Sequence, residues 1–230
     1  MRSYFALAAI MLVLCPLCIY AQAAEFSVKQ DGTGDFTTIQ AAIDVAMDGD
    51  EIVVHPGRYC ENIRFEGKNI ALRSVDPEDE EIVASTVIDG QEMDSVITFS
   101  GTEDESCTLD GFTITRGYAK SGAGILGGDP SSDSPVCTLA GISNCRIKGN
   151  SGLVVGGIGW CAGAIVNCVI SGNSAGYWGG GIGWCDGTIS ICTISGNSSG
   201  WGGGGLAWCD GAISNCTISG NSGVRGGGGL

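Results

Sequence analysis

Trp160, Trp184 and Trp208 stand 24 residues apart, and so do Ile165, Ile189 and Ile213. Cys161, Cys185 and Cys209 keep the same step, which Cys137 extends one unit earlier. Cys145, Cys168, Cys192 and Cys216 follow it to within one residue, as do Asn150, Asn173, Asn197 and Asn221. A register this regular means that each unit repeats one piece of structure. Such a unit cannot cover its apolar residues alone, so the units must stack.

Within a unit the apolar residues come in short pairs two apart, such as Ile182/Trp184 and Cys192/Ile194, separated by Gly or Asn. That is strand periodicity broken by turns, not the 3.6-residue spacing of a helix. Three short strands fit each unit. Strands that pair with the same strand of the next unit make a parallel β-solenoid, with like residues stacked about 4.8 Å apart. Gly and Asn are expected at the corners, where they tolerate left-handed backbone angles. Leucine-rich repeats and calcium-binding nonapeptide arrays are disfavoured, because neither of their patterns is present. Leu109 to Ile114 aligns with Ile142 to Ile147 as an irregular earlier coil, followed by an inserted loop at Gly122–Pro135.

The chain holds 40 Gly but only 5 Pro, and Gly follows no three-residue period, which excludes collagen. With 43% hydrophobic and 16% charged residues it is not a disordered chain either. Its net charge of −14 is unevenly placed. Residues 1–110 carry 21 acids and 6 bases, whereas 111–230 carry 4 and 5. No basic track is available for phosphates, so nucleic acid is not an expected partner.

At the amino terminus, Arg2, an apolar run from Ala6 to Ile19 and the small residues Ala21 and Ala23 read as a secretory signal over residues 1–23. The apolar run is too short for a membrane span. Cleavage would remove Cys15 and Cys18 and leave ten cysteines in a compartment that permits disulfides. Next, Ile39, Ala42, Ile43 and Ala46 share one helical face, with Asp35 as the expected N-cap, so a short helix is expected to cover the first coil. Strand-like runs at Glu51–His55, Asn62–Phe65, Ile70–Arg73 and Thr86–Ile88 follow, with an acidic loop at Asp76–Glu81.

The stretch from Asp31 to Ile43, with Ile52 to Tyr59, Glu61 and Gly67 to Leu72, resembles the entry segment of pectinesterases and other pectin-lyase-like right-handed parallel β-helix proteins. The repeats, with Ile170-Ser-Gly-Asn-Ser-Ala175 and Gly179 to Ile182, are similar to polymorphic outer-membrane-protein repeats of bacterial surface adhesins, although Ile stands where those usually have Phe. The resemblance implies a fold more than a chemistry, since this scaffold hosts lyases, hydrolases, esterases and non-catalytic adhesins alike. Pectinesterase catalytic residues find no matching Asp, Gln and Arg motif here.

From Gly149 to Val224 there is no Lys, Arg or His, and Asp186 and Asp210 are the only acids. Stacking would bring these two about 5 Å apart, the separation of a retaining glycosidase pair, but no cation or base accompanies them. Each precedes Gly, so they read first as turn residues and second as calcium ligands. His55, the sole histidine, reads as a turn residue. Tyr177, Trp178 and Trp201 fall where the repeat varies in length, and are the expected platform for sugar rings or a partner surface. Trp160, Trp184 and Trp208 share strand parity with Ile158, Ile182 and Leu206, so alternation turns them inward; facing outward they would form a flat strip. The Cys145/168/192/216 ladder faces inward, as free thiols or as an oxidised ladder. Asn197 and Asn215 match the glycosylation pattern and read as turn residues.

The expected structure is thus an all-β, right-handed parallel β-helix of about 24 residues per coil and roughly seven coils, with a short N-terminal capping helix. Residues 24–106 hold the cap and opening coils, and 107–230 the regular repeats, which stop inside a unit as in a chain whose coils continue. The expected function is an exported, non-catalytic module for cell-surface adhesion or for binding a polysaccharide or cell-surface partner, with no transmembrane span and no cofactor beyond the calcium pair. The alternative is a polysaccharide-active enzyme, a lyase, esterase or glycoside hydrolase, whose catalytic coils lie elsewhere.

Overall fold

The computed structural model describes residues 23–130 and 137–229. The expected signal therefore lies outside the described residues except for Ala23, as does the end of the loop expected at Gly122–Pro135. The chain forms a parallel β-helix. Short strands stack into four sheets of eight, seven, six and five strands, and every strand pairing within them is parallel. Among the described residues no helix is long and apolar enough to cross a membrane.

Stacking in register puts one apolar side chain on top of the next. In the eight-stranded sheet Ile52, Leu72, Leu109, Ile142, Ile165, Ile189 and Ile213 lie over one another. In the seven-stranded sheet the row runs Tyr59, Ile88, Ile114, Ile147, Ile170, Ile194 and Ile218. In the six-stranded sheet it runs Ile63, Ile97, Ile125, Ile158, Ile182 and Leu206. Most of these side chains are fully buried, each stabilising the fold by about 1.5–3 kcal/mol.

A regular coil has four short strands rather than three. The extra one, seen at Ser151–Gly152, Ser174–Ala175 and Ser198–Ser199, builds the five-stranded sheet. Its Ser, Gly and Ala carry no apolar alternation, so periodicity could not reveal it. The inserted loop is also shorter than expected, because Ile125–Leu126 is a strand in register with Ile97 and Ile158.

The glycine runs serve close packing more than backbone angle. A Cβ on Gly157 would stand 2.2 Å from the carbonyl oxygen of Gly181, and one on Gly181 would stand 2.6 Å from that of Gly205. Left-handed angles fall at other corners, on Gly172 and its counterparts and on Asn144, Asn167, Ile191 and Asn215.

Helix α1 (Ile39–Val45) covers the opening strands with Ile39, Ala42 and Ile43, as expected. Its cap differs. Thr38 stands at the N-cap without a side-chain bond, and the Glu61 carboxylate accepts the N–H groups of Ile39 and Gln40 at 2.9 and 3.0 Å. Asp35 instead accepts the backbone N–H and hydroxyl of Ser27. The acidic loop ends in a second helix, α2 (Glu80–Ser85), N-capped by Asp79.

Asn150, Asn173, Asn197 and Asn221 form an amide ladder, its first three members buried. Asn173 Oδ1 accepts both the backbone N–H and the Nδ2–H of Asn150, each at 3.0 Å. Asn173 Nδ2 donates to Asn197 Oδ1 at 3.0 Å and to the Ile147 carbonyl at 2.9 Å. The pattern repeats one coil on, from Asn197 to Asn221. Asn197 is therefore an interior residue and not the turn residue expected, whereas Asn215 is exposed and left-handed. Asn173→Ala would orphan several buried groups at about 1–3 kcal/mol each. It is expected to lower Tm by about 6–12 °C, while Asn167→Gly, at an exposed left-handed site, should change Tm by less than about 2 °C; thermal melts followed by circular dichroism read both.

Candidate functional site

Four exposed apolar side chains, one per coil, lie on or just after the five-stranded sheet, Tyr118 as the first residue of its opening strand and the other three at the corner that follows it. They are Tyr118 (62% exposed), Leu153 (50%), Tyr177 (41%) and Trp201 (48%). Backbone bonds hold the turn segments in line, with Tyr177 N–H donating to Leu153 O and Trp201 N–H to Tyr177 O, both at 2.9 Å. The Tyr177 and Trp201 rings meet edge to face, with centroids 6.0 Å apart. Arg225 lies 4.8 Å from the Trp201 ring centre, a cation–π contact. Tyr118 and Leu153 line a shallow hollow with Lys120, Ser151 and Gly176.

Beside this row runs a second one of hydroxyls. Tyr118, Ser151, Ser174, Ser198 and Ser222 stack in register as the first residues of their strands, with Ser174 Oγ 3.2 Å from Ser151 Oγ. The second residues, Gly152, Ala175 and Ser199, are buried, so the serines face outward. Rings and hydroxyls thus share one strip with little charge. Of the three aromatics singled out from sequence, Tyr177 and Trp201 belong to it. Trp178 does not, because its half-buried ring lies against Gly202 and edge-on to Trp208. Tyr118 and Leu153 were missed, since they precede the regular repeats or lack an aromatic ring; the place of Leu153 directly after the strand Ser151–Gly152 was the available signal.

The tryptophan ladder leaves the inward row, against the parity expectation, with Trp208 exposed, Trp184 half-buried and Trp160 covered. Trp160, Trp184 and Trp208 all adopt left-handed backbone angles, with φ of 58°, 51° and 56°. One left-handed residue breaks the alternation, and the inward position passes to Cys161, Cys185 and Cys209. The rings stack outside the core, Trp160 on Trp184 at 4.9 Å and 8°, and Trp184 on Trp208 at 6.4 Å and 17°. Each of the two pairs contributes about 0.5–1.5 kcal/mol, which offsets part of the roughly 1–2 kcal/mol cost of each left-handed non-glycine residue. The stacked faces are occupied by one another, and only Trp208 is well exposed.

Asp186 and Asp210 are exposed and sit next to this ladder, away from the serine strip. Asp186 Oδ1 faces the Asp210 N–H at 3.4 Å, as in stacked turns. No group of three His, Cys, Asp or Glu suited to a metal ion occurs among the described residues. His55 occupies the turn after Glu51–Val54, where its carbonyl accepts the Tyr59 hydroxyl at 2.9 Å. Burial, with Lys29 nearby, holds its imidazole below the usual value.

The charged cluster that sequence reasoning overlooked is at Asp89. Its buried carboxylate pairs with Arg58 and Arg116, and Arg116 pairs in turn with Glu92. Burial acts to raise its pKa, yet the Gln91 N–H and the two guanidiniums hold it below the usual carboxylate range. Gln91, Glu92 and Arg116 are all left-handed, the kind of local strain that gathers at switches, clamps and active sites. The carboxylate itself is only 1% exposed.

No family model and no curated protein matches the chain. Among solved structures it is similar to the pectin methylesterase PemA from Erwinia chrysanthemi, at 17% identity and a TM-score of 0.45, over 76% of this chain and 55% of that one. The chain thus spans about half the length of that structure.

All ten described cysteines are unpaired in this structure, the arrangement of the free-thiol reading of the ladders. The sulfurs donate to backbone carbonyls, Cys168 to Val166 at 3.3 Å and Cys192 to Ser190 at 3.2 Å. Burial pushes Cys107 up to about 12 and raises Cys168 and Cys185 as well. Since the thiolate is the reactive form, a disulfide-exchange reagent at pH 7.5 is expected to label exposed Cys60 rapidly in the folded protein. Cys107, Cys145, Cys168 and Cys185 should react only after unfolding. Rapid labelling of these four in the native state, read by mass spectrometry, would contradict the buried-thiol ladders.

Proposed function

We propose that this chain is an exported, non-catalytic β-helix module that binds an uncharged polysaccharide lying along the helix axis. The observation that carries the reading is the strip itself, in which exposed rings at Tyr118, Tyr177 and Trp201 run beside the outward serines 151, 174, 198 and 222. A sugar presents apolar C–H faces and a rim of hydroxyls, and the strip offers a partner for each. Successive coils are about 4.8 Å apart, so the contacts repeat along a line, as a polymer requires. The near absence of charge in residues 149–224 argues against an acidic glycan. The signal-like segment at residues 1–23 supports export, and the likeness to surface-adhesin repeats supports a role at a cell surface.

A polysaccharide-active enzyme is the second reading, and the strained Asp89, Arg58 and Arg116 cluster is the observation that favours it. The two readings part on turnover. The module should be retarded in gels containing neutral glycans and release no reducing or unsaturated ends from them. The double variant Tyr177→Ala/Trp201→Ala should bind about tenfold more weakly, given about 0.5–1.5 kcal/mol for each ring contact, with an unchanged circular dichroism spectrum. Val169→Ala, exposed on another sheet, should bind as the native chain does. Undiminished binding by the double variant would overturn the strip, and sustained glycan cleavage abolished by Asp89→Asn would establish the enzyme.

A further inference from the structure

Asp50 is a carboxylate in the wrong place for a structural acid. It is 8% exposed and makes none of the ion pairs among the described residues. A buried charge without a counter-charge is costly. The other well-buried acids are compensated in evident ways. Asp89 has two arginines, and Glu103 accepts the N–H groups of Gly67, Ser100 and Gly101 and the Ser100 hydroxyl. Asp50 has two backbone donors. Its Oδ2 accepts Met47 N–H at 2.8 Å, and its Oδ1 accepts the N–H of Ala24 at 2.7 Å.

Ala24 is held where the strand ladder starts. Its carbonyl accepts Glu51 N–H at 2.8 Å, and Glu25 then pairs with Glu51 in register. Ala23, one residue earlier, is exposed. The small residues Ala21 and Ala23 mark the bond after Ala23 as the one an export peptidase would select. Two separate observations, a leader pattern and a buried carboxylate with no counter-charge, therefore meet at one peptide nitrogen.

We propose that the Ala23–Ala24 bond is a processing site, and that Asp50 is the receptor for the α-ammonium group that its hydrolysis leaves on Ala24. Water adds across the amide, Ala23 departs with the carboxylate, and the freed nitrogen of Ala24 takes up a proton. The neutral N–H now on Asp50 Oδ1 becomes a charge-assisted donor, which is shorter and about twice as strong. Maturation thereby supplies the counter-charge that Asp50 lacks and fastens the first strand over the end of the core. The proposal rests on the export reading above, and its test separates the two.

The full chain, expressed with its own leader in an exporting bacterial host, is recovered from the exported fraction and its intact mass measured. The expected product starts at Ala24; absence of the chain from the exported fraction would sink both the export reading and this proposal, and an unprocessed chain or a start at another residue would sink this proposal alone. A second chain carries one Ser inserted between Ala23 and Ala24 so that the mature protein begins one residue earlier. With Asp50 intact, the Ala24 start should melt about 2–4 °C above the extended start. In Asp50→Asn the two starts should melt together. Equal melting of the two starts with Asp50 intact, or a difference that persists in Asp50→Asn, would refute the pairing even if export and cleavage occur.

Discussion

Everything else in this molecule depends on one coil lying directly over the next, and the buried asparagine amides hold that register. A carboxamide has one acceptor and two donors, and here each inner Asn spends all of them on the coil before or after it. A slip of one residue would carry the amides out of contact and turn the isoleucine rows outward. An aliphatic row tolerates some sliding, whereas an amide ladder does not, because every misplaced group is a buried polar atom without a partner.

That register explains features that look unrelated along the chain. Glycines pile up at one corner because adjacent coils bring backbone within 2.2–2.7 Å of where a Cβ would be. Tryptophans accept left-handed angles because stacking supplies each ring with a neighbour at 4.9 or 6.4 Å. Thiols fill the interior where a small apolar group is needed between isoleucines. On the outside, the same repeat carries one exposed side chain per coil along the serine strip, so that a binding surface arises from periodicity and needs no pocket. The charge is segregated too, with acids and arginines paired in the opening coils and the later coils left nearly neutral.

Much of this was legible in the residues. The 24-residue step of Ile165, Ile189 and Ile213 announced parallel stacking, and Ile39, Ala42 and Ile43 announced the capping helix. What the residues hid has definite causes. The strand Ser174–Ala175 has no apolar pattern, since its outward face is polar and its inward one small. The outward turn of Trp184 needs a backbone angle that residue type disfavours, and alternation alone therefore misplaced it. Asn197 and Asn215 have the same side chain in similar repeats, yet one is an interior ladder residue and the other a left-handed corner; only the hydrogen-bond partners distinguish them. The helix cap came from Glu61, 22 and 21 residues along the chain from the N–H groups it accepts, where local rules of capping do not reach. Tyr177 and Trp201 were recognised by exposure of the variable segment, but Tyr118 joined them only through the stacking of distant coils.

The most direct test of the account is a nuclear magnetic resonance titration of the mature chain with a panel of neutral oligosaccharides. Shift changes are expected to gather on Tyr118, Leu153, Tyr177, Trp201 and the outward serines, while the side-chain amides of Asn150, Asn173 and Asn197 remain unshifted and slow to exchange. Changes centred on Asp89 and Arg116 or on the Trp160 to Trp208 ladder, or no changes with any member of the panel, would contradict it.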